Sequence, residues 1–249
     1  MHSFCAVEFA HLHRIIHFLT LNYETKMQTL SSSKIDESSI SMKKTLGVSS
    51  DTTLPVMEAF YTLQGEGVFA GHAAYFIRLG GCDVGCFWCD VKESWDKEAH
   101  PQLSISQIVK EASSFPARLA IITGGEPLMH NLNELTEELK KEGFRIHIET
   151  SGAHPLSGTL DWITLSPKRF KKPLKDIYQK SHELKMVIYA LSDLEWAQTE
   201  AKKVSDSCVL LIQPEWSKSE KNLPILIEFV KENPRWKLSL QTHKFMNIP

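Results

Sequence analysis

From Val56 to the end of the chain, short apolar runs alternate with stretches in which apolar residues recur at helical spacing. Runs rich in β-branched and aromatic side chains predict strands at 57–61, 74–79, 119–123, 145–149, 162–165, 183–188, 209–213 and 237–240. The helical pattern predicts helices at 104–115, 131–142, 192–204 and 217–232. Ser104 and Ser192 stand where N-caps belong, and Gly143 and Pro234 fall just past helix ends. This alternation implies an α/β fold of parallel βα units with right-handed crossovers. About six strands followed by crossovers are too few to close a ring, so the expected architecture is an incomplete, partial TIM-type barrel. In such folds the chemistry gathers at the C-terminal ends of the strands.

Residues 1–50 break this texture. Residues 4–23 are apolar and partly amphipathic, and Ser31, Ser32, Ser33, Ser38, Ser39 and Ser41 follow in a polar tract. Glu8, His11, His13, Arg14 and His17 interrupt the apolar run, against a membrane span. The charge and small residues of a signal peptide are not in their places, and Glu8, Glu24, Asp36 and Glu37 count against an organellar transit peptide. The segment reads as a disordered or dispensable extension ahead of a domain at 51–249, with Met42 as an alternative start.

A net charge of -2 in 249 residues lacks the electrostatic footprint of a nucleic-acid binder and favours a small-molecule substrate. Three of the five cysteines fall within Gly80 to Asp90, as Cys82-x3-Cys86-x2-Cys89, while Cys5 and Cys208 are remote. That is no disulfide framework but an intracellular metal site, which places the chain in a reducing cytoplasm. Cys208, inside the apolar run 208–212, reads as a buried small hydrophobe. Soft thiolates select zinc, copper(I) or iron-sulfur clusters, and a four-iron cubane on three cysteines leaves one iron open to a chelating small molecule. The spacing resembles the signature of the radical S-adenosylmethionine (SAM) enzymes. Gly81, Gly85, Phe87 and Trp88 suit a tight loop that shields a cluster from water. A zinc site completed by Asp90 or a distant His is the other reading.

Polar signatures follow strand after strand. Gly124-Gly125-Glu126-Pro127 bares backbone groups and offers a carboxylate that suits an ammonium, or it is a plain turn. Glu149-Thr150-Ser151-Gly152 offers hydroxyls for a ribose, or a capped turn. Ser166-Pro167-Lys168 sets a hydroxyl and a cation where a carboxylate fits, and Gln213-Pro214 puts an amide at a strand tip.

With Phe60-Tyr61-Thr62-Leu63-Gln64-Gly65-Glu66-Gly67 ahead of the cysteines, Arg78 four residues before Cys82, and the ending Gln241-Thr242-His243-Lys244 with Pro249 last, the chain from about Val56 resembles the 7-carboxy-7-deazaguanine synthase family. The resemblance implies that Cys82, Cys86 and Cys89 ligate a 4Fe-4S cluster. It implies that Trp88, Asp90, Gly124, Gly125, Glu126, Thr150, Ser151, Ser166, Pro167, Lys168 and Gln213 hold SAM. Leu63, Gln64, Gly65, Glu66, Arg78, Thr123, His243 and the terminal carboxylate of Pro249 would hold the substrate. The implied reaction converts 6-carboxy-5,6,7,8-tetrahydropterin to 7-carboxy-7-deazaguanine with loss of ammonia. A 5'-deoxyadenosyl radical takes the hydrogen from C6 and later returns it, so that SAM is regenerated. A flavodoxin-like reductant and a homodimer belong to the same implication.

One position departs from the family pattern. A Thr or Ser hydroxyl two residues after the last cluster cysteine commonly ligates Mg2+ there, and this chain has Val91. Valine offers magnesium no oxygen, so the ion is either absent or held by substrate and water, with Lys92 as a source of the missing positive charge. Two other functions are consistent with the cysteines: an activase of glycyl-radical enzymes, in which the QGEG segment and the tail would have no role, and a non-enzymatic zinc-binding adaptor.

Overall fold

The computed structural model describes residues 52–249, so the expectations for residues 1–50 lie outside it. Nine strands form one sheet: β1 (Thr53–Leu63), β2 (Ala73–Leu79), β3 (Gln102–Ser104), β4 (Leu119–Gly124), β5 (Arg145–Thr150), β6 (Trp162–Leu165), β7 (Glu183–Ile188), β8 (Val209–Pro214) and β9 (Trp236–Leu238). Their spatial order is β3-β1-β2-β4-β5-β6-β7-β8-β9. The β3–β1 and β1–β2 pairings are antiparallel, and every pairing from β2 through β9 is parallel. The outermost strands β3 and β9 do not pair with each other, which leaves the barrel open as expected.

The helices are α1 (Ile105–Ser113), α2 (Asn133–Lys141), α3 (Lys175–Lys180), α4 (Asp193–Ala201), α5 (Ser219–Glu232) and α6 (Thr242–Met246). Ser104 caps α1 in a reciprocal box, its hydroxyl accepting from Gln107 N while the Gln107 side chain accepts from Ser104 N. Gly143 follows α2 at φ +79°, a left-handed position open to glycine. Ser192, by contrast, makes no side-chain cap; the turn into α4 is closed by Asp193 Oδ2, which accepts from Tyr189 N and Ala190 N. The short elements β3, α3 and α6 were not expected, and β9 stops at Leu238, short of the predicted end at 240. β1 runs well past the predicted 57–61 because it has a partner at both ends, β3 along Thr53–Pro55 and β2 along Val56–Leu63.

Alternation along each strand divides the residues between two environments. Tyr75, Ile77 and Leu79 of β2, Ile146 and Ile148 of β5, and Leu184, Met186 and Ile188 of β7 join the main core with Ile108 of α1, Leu135 and Leu139 of α2 and Leu226 of α5. Each such buried aliphatic side chain contributes about 1.5–3 kcal/mol of burial free energy. The intervening positions face the barrel interior. There Ala74, Phe76, Leu119 and Ile121 form a small apolar floor, while Thr123, His147, Thr164, Glu183, Lys185 and Gln213 are buried polar residues. A polar lining of this kind costs desolvation unless each group is paired, and the pairing defines the site.

Candidate active site

The cysteine loop leaves β2 at Leu79 and is fastened at its base by the backbone. Gly81 N bonds Ser94 O at 2.6 Å, Cys82 N bonds Trp95 O at 3.1 Å, and Cys89 N bonds Cys86 O at 3.0 Å. Strand β4 docks against the same base, with Gly125 N on Leu79 O at 3.0 Å and Glu126 N on Gly81 O at 2.8 Å. This approach requires both glycines. A Cβ at Gly124, where φ is +143°, would lie 2.2 Å from Leu79 O, and one at Gly125 would lie 2.3 Å from Gly81 O and 2.8 Å from Cys82 Cβ. The GGEP sequence is therefore a joint between the cysteine loop and the tip of β4.

Cys86 is buried and Cys82 and Cys89 are half-buried, packed with Val84, Trp88 and Ala153. Burial pushes the Cys82 thiol up, and the Cys86 thiol to about 11. Ligation by iron would replace those protons, which couples cluster binding to proton release. Among the described residues no three His, Cys, Asp or Glu side chains converge closely enough to hold one metal ion. The three cysteines instead line a single cavity, which suits a cluster in which each binds a different iron.

That cavity has a volume of about 260 Å³ and opens at the C-terminal ends of the parallel strands. On the side of β4 to β8 it is lined by Thr123, Gly124, Gly125, Thr150, Ser151, Ser166, Lys168 and Gln213, with Trp88 and Asp90 from the cysteine loop. Glu126 and Pro167 do not reach it. The Glu126 carboxylate is buried and saturated by four donors: Thr150 Oγ1 at 2.5 Å, Ser151 N at 2.8 Å, Leu128 N at 3.1 Å and the Ser151 hydroxyl. Its side chain splices β4 to β5 and leaves no oxygen directed at a ligand's ammonium, contrary to the sequence expectation. Lys168 Nζ bonds Ser166 O at 2.7 Å and Ser166 Oγ at 2.6 Å and lies 5.8 Å from the centre of the Trp88 ring. Burial lowers its pKa. Gln213 Oε1 accepts from Ser239 Oγ at 2.7 Å, which fixes the amide at the tip of β8.

The cavity is also lined by Leu63, Gln64, Gly65, Glu66, Arg78, His243 and Pro249. Gln64 Nε2 donates to Glu149 Oε1 at 2.9 Å and its Oε1 accepts from Glu66 N at 3.0 Å. Arg78 Nε donates to Glu58 Oε1 at 2.6 Å across β1 and β2, which sets the plane of the guanidinium while the side chain still borders the cavity. The tail is latched to the QGEG segment, with Thr242 N and Oγ1 bonding Gly65 O at 2.9 and 2.8 Å. Gly65 has no space for a side chain, because a Cβ there would fall 2.2 Å from His243 Nδ1.

Among the cavity-lining residues to which sequence reasoning gave no role are Lys185 from β7 and Glu149 from β5. Lys185 Nζ pairs with Glu66 Oε2 and lies 3.7 Å from Glu149 Oε2. The available signal was a lysine on the inner-facing parity of an apolar strand, between Leu184 and Met186. Val91 borders the cavity as its position predicts, but Lys92 is exposed and does not. The cation beside Asp90 is Lys244, from the tail.

Comparison with known proteins places this geometry. A family model described as the Radical SAM superfamily matches residues 76–211. The 7-carboxy-7-deazaguanine synthase of Flavobacterium psychrophilum is 50% identical over 204 residues, covering 82% of this chain and 97% of the relative. The enzyme of the same name from Synechocystis sp. is 47% identical over 194 residues, 78% of this chain and 93% of the relative. Among solved structures, QueE from Escherichia coli aligns with a TM-score of 0.69 and 34% identity over 76% of this chain and 93% of that one. The chain belongs to the 7-carboxy-7-deazaguanine synthase family of the radical SAM superfamily.

Proposed function

We propose that the chain performs its family's reaction, the ring contraction of 6-carboxy-5,6,7,8-tetrahydropterin to 7-carboxy-7-deazaguanine with release of ammonia, in 7-deazapurine biosynthesis. The observation that carries this reading is the meeting, in one cavity, of the three cysteines with Gln64, Glu66, Arg78, His243 and the chain-terminal Pro249. An activase of glycyl-radical enzymes has no use for that second group. A 4Fe-4S cluster and SAM, when bound, supply the one-electron chemistry that removes and returns a hydrogen at the substrate.

The protein's own part is binding, orientation and exclusion of water. Cys82, Cys86 and Cys89 hold the cluster. Gly124, Gly125, Thr150, Ser151, Ser166, Lys168 and Gln213 hold SAM, with Trp88 and Asp90 at the rim. Glu126 acts indirectly, by fixing Thr150 and Ser151. Arg78, oriented by Glu58, receives the pterin carboxylate through its planar fork. Gln64, Glu66, Thr123, His243 and the Pro249 carboxylate meet the heterocycle, with Leu63 and Gly65 shaping the wall.

Because Val91 offers no oxygen, Mg2+ is held by substrate and water alone or is dispensable. The cation paired with Asp90, the residue before Val91, is Lys244 rather than the exposed Lys92. Magnesium should stimulate the protein weakly, and Val91→Thr should increase the response. A strong requirement in the unmodified protein would mean that other oxygens complete the site. A flavodoxin-like electron donor, a homodimer, a cytoplasmic location and a dispensable segment at 1–50 complete the reading; among the described residues no helix is long and apolar enough to cross a membrane. The deciding experiment is anaerobic turnover of the carboxytetrahydropterin with dithionite and SAM. Formation of 7-carboxy-7-deazaguanine is expected, and SAM cleavage without this product would overturn the reading. Cys82→Ala, Cys86→Ala and Cys89→Ala should each abolish it and deplete iron, whereas Cys208→Ala should do neither.

A further inference from the structure

Lys185 is a lysine in the middle of a buried strand, with only 6% of its surface exposed, and its ammonium enters the same cavity as the substrate-facing residues. It bonds Glu66 Oε2 from the loop after β1 and lies 3.7 Å from Glu149 Oε2 of β5. Gln64 ties the same two residues together from the other side, donating to Glu149 Oε1 and accepting from Glu66 N. The result is a ring of one cation, two carboxylates and one amide at a wall of the cavity.

We propose that Lys185 is a positioning residue for the pterin: its ammonium holds Glu66 and Glu149 side by side as hydrogen-bond acceptors for the N-H donors of the heterocycle. This rests on the pterin reading of the site. Two carboxylates confined to one buried space without a cation share a proton, which turns one acceptor into a donor. The pyrimidine edge of a pterin presents an amino group and a ring N-H, so a donor facing it repels the ligand. With Lys185 present the Glu66 carboxyl stays below its usual range, since the attraction of Lys185 outweighs the burial that would raise it. Lys185 is itself pushed up: Glu149 and Glu66 outweigh the burial that would lower it. The other ionisable groups around the ring are Glu183 on β7, Lys168 after β6 and His243 on α6.

The test is equilibrium binding of fully oxidised 6-carboxypterin, which has no hydrogen at C6 and is not turned over, to anaerobic cluster-loaded protein between about pH 6 and pH 7.5. Unmodified protein should bind it with a level pH profile. Lys185→Met should bind about tenfold more weakly at the acid end and recover as pH rises, because the shared proton then leaves. Lys185→Met/Glu149→Gln, which has a single carboxylate, should lose that pH dependence. SAM affinity should be unchanged in each variant. Lys185→Met binding within about twofold of the unmodified protein at every pH, or an equal pH-independent loss in the single and double variants, would overturn the proposal. Should Lys185→Met fail to keep its cluster, Lys185→Arg decides: a level profile supports the proposal and a rising one refutes it. Failure of the unmodified protein to bind 6-carboxypterin would instead count against the pterin reading itself.

Discussion

Lys244 Nζ donates to Asp90 Oδ2 at 2.9 Å, and so joins the residue after the third clustered cysteine to the tail that ends in the cavity. Gln241 Nε2 approaches the same oxygen at 3.5 Å, and Lys244 also lies 5.0 Å from the centre of the Trp216 ring. Burial alone would raise the Asp90 carboxyl, but the Lys244 ammonium outweighs it and holds it below the usual range. The clasp therefore couples the placement of the cysteine loop to the placement of His243 and Pro249.

Breaking the clasp should affect catalysis more than stability. The Asp90 side chain is 54% exposed, and exposed pairs contribute about 0–1 kcal/mol. Lys244→Met should thus leave the melting temperature within a few degrees of the unmodified protein, keep its iron, and raise KM for the pterin several-fold, about 1 kcal/mol of lost tail placement. Steady-state kinetics under anaerobic conditions check this, and an unchanged KM would mean that the tail holds its position without Lys244.

The clasp also shows where reading the sequence stopped. Local chemistry was legible: Ser104 and Gln107 spell a capping box, Gly143 ends a helix, and Val91 occupies the place its spacing from Cys89 assigns. Long-range electrostatics were not. The nearest cation to Val91 in the sequence, Lys92, points to solvent, whereas the cation that serves Asp90 comes from 154 residues away. Glu126 read as a free ligand because its four donors, on Leu128, Thr150 and Ser151, are set by strand pairing and a turn that no local pattern announces. β3 is three residues long and exists because Thr53–Pro55 pairs with it, so it carries no periodicity of its own.

Glu126→Gln should be destabilising although it is nearly isosteric. An amide nitrogen in place of either oxygen would face donors, leaving buried N-H or O-H groups without acceptors at a cost of about 2–4 kcal/mol. In a domain of this size that corresponds to a melting temperature lower by roughly 5–10 °C. Ser151→Ala removes one donor and leaves three, so its loss should be smaller. Thermal melts of the two variants side by side check the order, and a Glu126→Gln melt equal to the unmodified protein would show that the carboxylate is not the splice between β4 and β5.

Acid should weaken the fold through His147. This residue is 3% exposed on the inner face of β5, with the Phe69 ring 4.4 Å away and no protein partner for Nε2 among the described residues. Burial is the main cause of a pKa pushed down to about 4. An unfolded histidine titrates near 6.5, so between about pH 6.5 and 4 the unfolded chain binds a proton that the folded chain refuses. The stability is complete above pH 6.5 and falls with acidification, by about 2 kcal/mol from pH 7.5 to pH 5. His147→Phe removes this dependence and leaves no new polar group unpaired. Urea midpoints at the two pH values should draw together in the variant, and an unchanged difference would assign the acid sensitivity to other groups such as His182, whose pKa is also lowered by burial.

The end of the chain gives the sharpest contrast between two constructions of the same protein. β9 leads into Gln241 and α6, the tail is latched to Gly65 through Thr242, and the last residue, Pro249, borders the cavity. Asn247 makes the final bend at φ +53°, and Ile248 N bonds His243 O at 3.2 Å, so the terminus is turned back toward the site. In the proposed reading, a free carboxylate at that point would accept charge-assisted hydrogen bonds from the pterin's N-H groups, roughly twice as strong as neutral ones. Extending the chain beyond Pro249 converts the carboxylate to an amide and places added residues at the border of the cavity. Loss of one such bond corresponds to about 1.5–3 kcal/mol, a ten- to hundred-fold rise in KM. A C-terminally tagged protein should therefore keep its iron and its SAM affinity while losing most turnover at low pterin concentration, and an N-terminally tagged one should match the untagged enzyme. Equal KM values for the two tagged proteins would remove Pro249 from the substrate site.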